Sequence, residues 1–139
     1  MPSDGADDVE AIRRLKARYF RSLDTQDWQA FRSVFTDEAE IDVSADGAGV
    51  VRGSDAITES IARALDGATT VHQGTTPEIE VDGDEAVGTW AMTDLIVFPD
   101  GTRLDGAGHY HERYRRVDGR WRIAGFRLSR LRRELTPPS

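Results

Sequence analysis

The sequence predicts an α+β domain in which helices pack on one face of a strongly curved antiparallel sheet. Three observations carry this. Apolar residues recur at helical spacing early in the chain. The period switches to two from about residue 69, and four long strand-like runs follow, separated by turns rich in Asp and Gly. Long strands in a small sheet must coil, and a coiled sheet closed by helices makes a cone with a hollow mouth.

The elements follow in order. Val9, Ile12, Leu15, Tyr19, Phe20 and Leu23 form an amphipathic stripe, with Asp7, Asp8 and Glu10 in the first turn where the helix dipole favours acids. Asp27 reads as the N-cap of a short second helix with Trp28, Phe31 and Phe35 inward. Brief strands are expected at Glu40 to Ser44 and at Val50–Val51. Ser54 reads as the cap of a third helix, with Ile57, Ile61, Ala64 and Leu65 inward and Gly67 as its stop. The long strands run from Val71 to Val81, from Glu85 to Phe98, from about Thr102 to Val117, and from Arg120 to about Leu131. Pro77 demotes the middle of the first to a bend or an edge, and Asp118-Gly119 marks a tight hairpin. Residues 1–6 and 134–139 read as flexible ends of one domain at 7–133.

Composition narrows the function classes. With 139 residues the chain fits one domain, and with no cysteine it has neither disulfide, cysteine-ligated metal nor thiol nucleophile. A net charge of −7 argues against nucleic acid, which requires a basic footprint. The charge is uneven, −13 over residues 1–100 and +6 over 101–139, but the basic residues Arg113, Arg115, Arg116, Arg120 and Arg122 fall in strand-like sequence and read as an outer sheet surface. No basic-then-apolar leader and no long apolar run is present, so a cytoplasmic location and no membrane partner are expected.

Several residues have chemistry to offer. His72, in a strand of small and polar residues, is either a hydrogen-bonded structural histidine or a base able to take a proton near neutral pH. Asp24 closes the first helix, where the dipole disfavours a carboxylate, so it either caps the turn or takes a compensating imidazole. Tyr19 lies on the apolar stripe, either as core or as a phenol donating to an oxygen. It shares a pocket with Asp24 only if the helix ends near Asp24. Ala86, Gly88, Trp90, Met92, Asp94 and Ile96 alternate onto one face, and Asp94 is unexpected among them. If it is buried there, its pKa rises, as suits a general acid, unless a register slip turns it outward. Tyr110, Gly106 and Gly108 share a face on the next strand, so a ligand or helix approaches the backbone closely there. His109 and His111 point the other way and lack the partners of a metal set, so no metal is expected.

The phrases YFRSLDTQDWQAFRSVFTDEAEIDV, TVHQG and GHYHERYRRVDGRWRIAG resemble the SnoaL-like proteins of the nuclear-transport-factor-two-like superfamily, over about residues 7–133. Within it they are similar to the branch of scytalone dehydratase, bile-acid 7-alpha-dehydratase and lindane dehydrochlorinase. The resemblance implies a cystatin-like cone and a lyase that eliminates water or hydrogen chloride from a small cyclic, partly apolar substrate without cofactors. It places the catalytic pair at His72 and Asp24, with Tyr19 and Asp94 as further catalytic residues and Tyr110, Trp90, Met92 and Val43 around the substrate. The scytalone enzyme has tyrosines at the positions of Leu23 and Val43 and an Asn at Tyr110, so the resemblance does not extend to its substrate. An isomerase or cyclase of the ketosteroid-isomerase or polyketide-cyclase type uses the same groups, and a non-catalytic ligand-binding member keeps the same pocket. A convex outer face with His109, His111, Arg113 and Arg115 implies a homo-oligomer, dimer or trimer.

Overall fold

The computed structural model describes residues 5–139. Helix α1 (Gly5–Asp24) is followed by α2 (Trp28–Ser33), β1 (Phe35–Asp42), a 3-10 turn at Ser44–Asp46, β2 (Val50–Arg52) and α3 (Ser54–Ala64). Four long strands complete the chain: β3 (Thr69–Asp82), β4 (Glu85–Val97), β5 (Arg103–Val117) and β6 (Arg120–Thr136). They join one curved, unclosed six-stranded sheet in the order β2-β1-β6-β5-β4-β3, with the helices on its inner face. No described helix is long and apolar enough to cross a membrane.

Alternation along the long strands sorts their residues. On β4 the even positions from Ala86 to Ile96 are buried, and on β5 Leu104, Tyr110, Glu112 and Tyr114 are buried, facing α1. The stripe of α1 supplies Ile12, Leu15, Tyr19 and Leu23 to the same core. Asp27 accepts from the Ala30 N–H and caps α2 as expected. Pro77 lies on β3 at a break in register between Thr75 and Glu78, and β3 is an edge strand, where a missing N–H is tolerated.

The structure corrects the sequence reading in five places. The sheet is mixed, because β1 pairs parallel with β6. Parallel neighbours need a long crossover, and here everything between β1 and β6 supplies it. β1 begins at Phe35, which leaves α2 for the strand but still packs its ring 5.2 Å from Phe31. The cap of α3 is Gly53 rather than Ser54; its φ of +90° suits glycine, and its N–H donates to the Ala39 carbonyl. β6 extends past Leu131 to Thr136, because Glu134, Leu135 and Thr136 pair with Asp105, Leu104 and Arg103. At the other end, residues 1–4 of the expected flexible segment lie outside the described residues, while Gly5 and Ala6 already belong to α1.

Two glycines on the inner face of β5 make room for β6. A Cβ at Gly108 would overlap the carbonyl oxygen of Ser129, where Leu131 bulges out of the β5–β6 pairing; one at Gly106 would overlap Asp94 and Arg130. Gly108→Ala is therefore expected to cost on the order of 1–3 kcal/mol, because backbone must move. Gly106→Ala is expected to cost at least as much, because the added methyl would displace the buried Asp94–Arg130 pair. Chemical denaturation of both variants, read against wild type, checks that order.

Candidate active site

The C-terminal end of α1 meets the start of β3 at Asp24. One carboxylate oxygen, Oδ1, accepts from Thr70 Oγ1 at 2.9 Å and from His72 Nδ1 at 2.7 Å, while Oδ2 accepts from the His72 backbone N–H at 2.8 Å. Three donors from one strand thus compensate a carboxylate that the helix dipole disfavours. The hydrogen bond at Nδ1 fixes the tautomer of the neutral ring and leaves Nε2 as its acceptor. The His72 side chain is almost fully buried and lines an inner cavity of about 260 Å³.

That cavity is walled by Leu23, Ile41, Val43, Ile61, Met92, Ile96, Phe98, Leu104 and Leu128, with Tyr19 and Tyr110 among its polar members. Helix α1 ends at Asp24, so Tyr19 and the dyad serve one pocket. The Tyr19 and Tyr110 hydroxyls lie 3.4 Å apart, and both side chains are buried. Burial pushes both phenols above their ordinary pKa, with the neighbouring Glu112 charge acting in the same direction, so both are held as neutral donors.

Asp94 also reaches the cavity, but its surroundings differ from those expected. It is not an isolated carboxyl on an apolar face. Arg130 grips it with two N–H donors, Nη1 to Oδ1 at 2.7 Å and Nη2 to Oδ2 at 2.9 Å, and holds Asp46 at 2.9 and 3.0 Å through Nε and Nη2. Arg133 adds a contact to Asp46 at 3.3 Å. Both Asp94 oxygens are occupied by a guanidinium, so the geometry makes Asp94 a support for Arg130 rather than a proton donor. Burial pulls the Arg130 pKa down, and the hydrogen bonds to the two carboxylates outweigh it and hold the value above normal. The close approach anticipated at Gly106 is made by this ion pair, not by a ligand or helix.

Trp90 stands outside the cavity lining, although Met92 and Val43 belong to it. Its indole N–H donates to the Tyr114 hydroxyl at 3.0 Å. Tyr114 in turn donates to Glu112 Oε1 at 2.5 Å, and Lys16 donates to Glu112 Oε2 at 2.7 Å with both charged side chains fully buried. His109 and His111 lie on the outer face, where His111 Nε2 meets Ser129 Oγ at 2.9 Å. No group of three or more His, Asp or Glu among the described residues is arranged to hold a metal.

Arg130, Lys16 and Glu112 were missed in the sequence, yet each left a signal there. Lys16 follows Ile12 by four residues and lies on the apolar stripe. Glu112 alternates with Tyr110 and Tyr114, and Arg130 continues the inward parity of Phe126 and Leu128. A charge on an inward position of each of two elements is the pattern to search for.

The chain has three tyrosines, Tyr19, Tyr110 and Tyr114, and all are buried with raised pKa. The unfolded chain ionises its phenols near pH 10 while the folded protein keeps those protons. Stability is therefore expected to fall as pH rises above about 10. Absorbance titration at the phenolate band checks this: the native protein is expected to show no ionised tyrosine until it unfolds, then all three together.

A family model described as SnoaL-like domain matches residues 4–127. Among solved structures, the chain is 31% identical to a variant of Rv3472, a protein of unknown function from Mycobacterium tuberculosis, covering 90% of this chain and 77% of that one with a TM-score of 0.79. A putative aromatic ring hydroxylase from Novosphingobium aromaticivorans superposes with a TM-score of 0.87 at 24% identity, covering 97% and 96%. A hexachlorocyclohexane dehydrochlorinase, LinA type 2, superposes with a TM-score of 0.83 at 22% identity, covering 96% and 90%. The last two likenesses establish shared fold alone. With the family match spanning nearly the whole chain, and the cone, helices and inner cavity in place, this protein belongs to the SnoaL-like domain family.

Proposed function

We propose that the protein is a lyase that removes a proton from carbon and expels an oxygen or halide leaving group from a small cyclic, partly apolar substrate. The observation that carries this reading is the 2.7 Å hydrogen bond between His72 Nδ1 and Asp24 Oδ1 at the wall of an otherwise largely apolar cavity. Such a pair presents Nε2 as a base and compensates the imidazolium that forms. A volume of about 260 Å³ lies at or below the lower end of pockets for drug-sized ligands, roughly 300–1,000 Å³. That size favours a compact ring system, and the dehydrochlorinase fold neighbour is consistent with it.

In this mechanism His72 Nε2 takes a proton from a carbon next to a carbonyl or leaving group. The C–H electrons form the new double bond as the bond to the leaving group breaks. Tyr19 and Tyr110 hydrogen-bond the oxygen on which charge develops. A departing hydroxyl collects the proton held by the imidazolium and leaves as water, whereas a halide leaves as the anion and the imidazolium gives its proton to solvent; either way the residues return to their starting state. Asp94 acts at one remove, by holding Arg130 at the cavity wall. The steps use side chains alone.

The outer face favours a second copy of the chain as a partner. Glu78 and Glu80 on β3 and Glu40 and Asp42 on β1 flank Arg113 and Arg127 on β5 and β6 in one outer concavity, a mixed-sign surface that a second copy turned about a two-fold axis can pair with. Light scattering at micromolar concentration is expected to give a multiple of the monomer mass that falls as salt rises; a monomer at low salt excludes this arrangement.

A panel of cyclic β-hydroxyketones and ring halides, followed by mass spectrometry for loss of water or acid, tests the reaction. His72→Gln is expected to lower turnover by roughly 10²–10⁴-fold with the fold intact. Asp24→Asn is expected to lose much of the same activity, and the double variant to be little worse than either single one. If both variants unfold instead and no substrate in the panel turns over, the pair is structural.

A further inference from the structure

Lys16 is the only lysine of the chain, and its side chain is fully buried. Its ammonium lies 3.6 Å from the centroid of the Tyr110 ring and 3.8 Å from that of Tyr19. These are the two rings whose hydroxyls meet in the cavity, yet Lys16 itself does not line that cavity. Glu112 takes the ammonium on one oxygen and the Tyr114 hydroxyl on the other. The ammonium end of the pair faces the Tyr19 and Tyr110 rings, while the carboxylate charge also reaches both phenols and raises their pKa.

We propose that Lys16 is a positioning residue that makes the Tyr19 and Tyr110 hydroxyls selective for an oxyanion, so that the cavity takes ligands carrying or developing negative charge on oxygen, of the phenolate or enolate class. This rests on the proton-abstraction reading, which generates such a charge. A desolvated cation against the face of an aromatic ring is held by the ring's electrons and draws density from them. Each phenol then donates more strongly, and a charge arriving at its oxygen meets a buried cation across the ring. Glu112 keeps the cluster neutral before a ligand arrives, so the ammonium is not left buried without a partner.

The charge on Lys16 is also titratable near neutrality. Burial lowers its pKa to about 8, with Glu112 opposing the shift. The groups facing it are Glu112 and Tyr110 on β5, Tyr19 and Phe20 on α1, and Phe126 on β6. Asp24 acts on Tyr19, and Asp94 and Arg130 act on Tyr110.

The test compares 4-nitrophenolate with nitrobenzene, a neutral probe of similar shape, by absorbance titration. Wild type is expected to prefer the phenolate. Lys16→Met combined with Glu112→Gln removes both charges together and strands neither. In it, phenolate affinity is expected to fall by about tenfold, the order a desolvated cation–ring contact supplies, with nitrobenzene affinity unchanged. A wild type without phenolate preference, or a variant in which both affinities move together, overturns the proposal. A second measurement needs no ligand: with tyrosine labelled at Cζ, the Tyr19 and Tyr110 carbon resonances are expected to move together between wild type and the double variant, and resonances that do not move overturn the proposal. Turnover retained in His72→Gln would refute the proton-abstraction reading instead, without touching either of these signals.

Discussion

Helix α1 is fastened to the sheet by three charged side chains spaced eight residues apart. Asp8 takes Arg116 at 2.7 Å and the Trp121 indole at 3.1 Å, Lys16 takes Glu112, and Asp24 takes His72 and Thr70. At 1.5 Å per residue these points are about 12 Å apart along the axis, and they reach β5, β6 and β3. Apolar contacts along the stripe tolerate a small slide of the helix, but hydrogen-bonded charges do not. Buried ion pairs add little net stability, since desolvation offsets attraction. What they specify here is the axial and rotational position of α1, and with it the position of Tyr19.

The inner face of the sheet is consequently zoned. On one side of the cavity, Trp90, Tyr114, Glu112 and Lys16 form one connected polar chain in which each group named has a partner. On the other, Arg130 links Asp94 to Asp46 on the 3-10 turn, and Arg133 joins from the end of β6. The apolar cavity lies between these zones, with His72 at its wall. Glycines permit the arrangement. Gly88 leaves space for the Tyr114 ring, Gly74 for Phe20, and Gly106 for the Asp94–Arg130 pair. A polar group buried without its partner costs more than the hydrogen bond returns, so these clusters are complete or they fail.

Much of this was legible in the sequence because it is local. The period of three to four in α1, the period of two from residue 69, the Asp27 cap, the Asp118-Gly119 turn and the edge role of Pro77 each follow from a few consecutive residues. Alternation also put Asp94 and Tyr110 on the inner face and His109 and His111 outside. Phe35, Gly53 and the last turn-to-strand residues of β6 were misread because their conformations are set by long-range pairing: Phe35 by Ile123, Gly53 by Ala39, and Leu135 by Leu104.

By itself, the sequence determined the element types, the inward faces and the inventory of groups able to move a proton. Only the tertiary structure decided which of those groups meet. Asp24 and His72 are 48 positions apart, Lys16 and Glu112 are 96, and Asp94 and Arg130 are 36. Their pairings depend on where α1 crosses the sheet and on a bulge at Leu131 that shifts the register of β6. A carboxylate's chemistry is set by the donor that reaches it, and that donor is chosen by register and helix position, which no local pattern encodes. For this reason Asp94, read alone as an acid, stands in the folded protein as the anchor of an arginine.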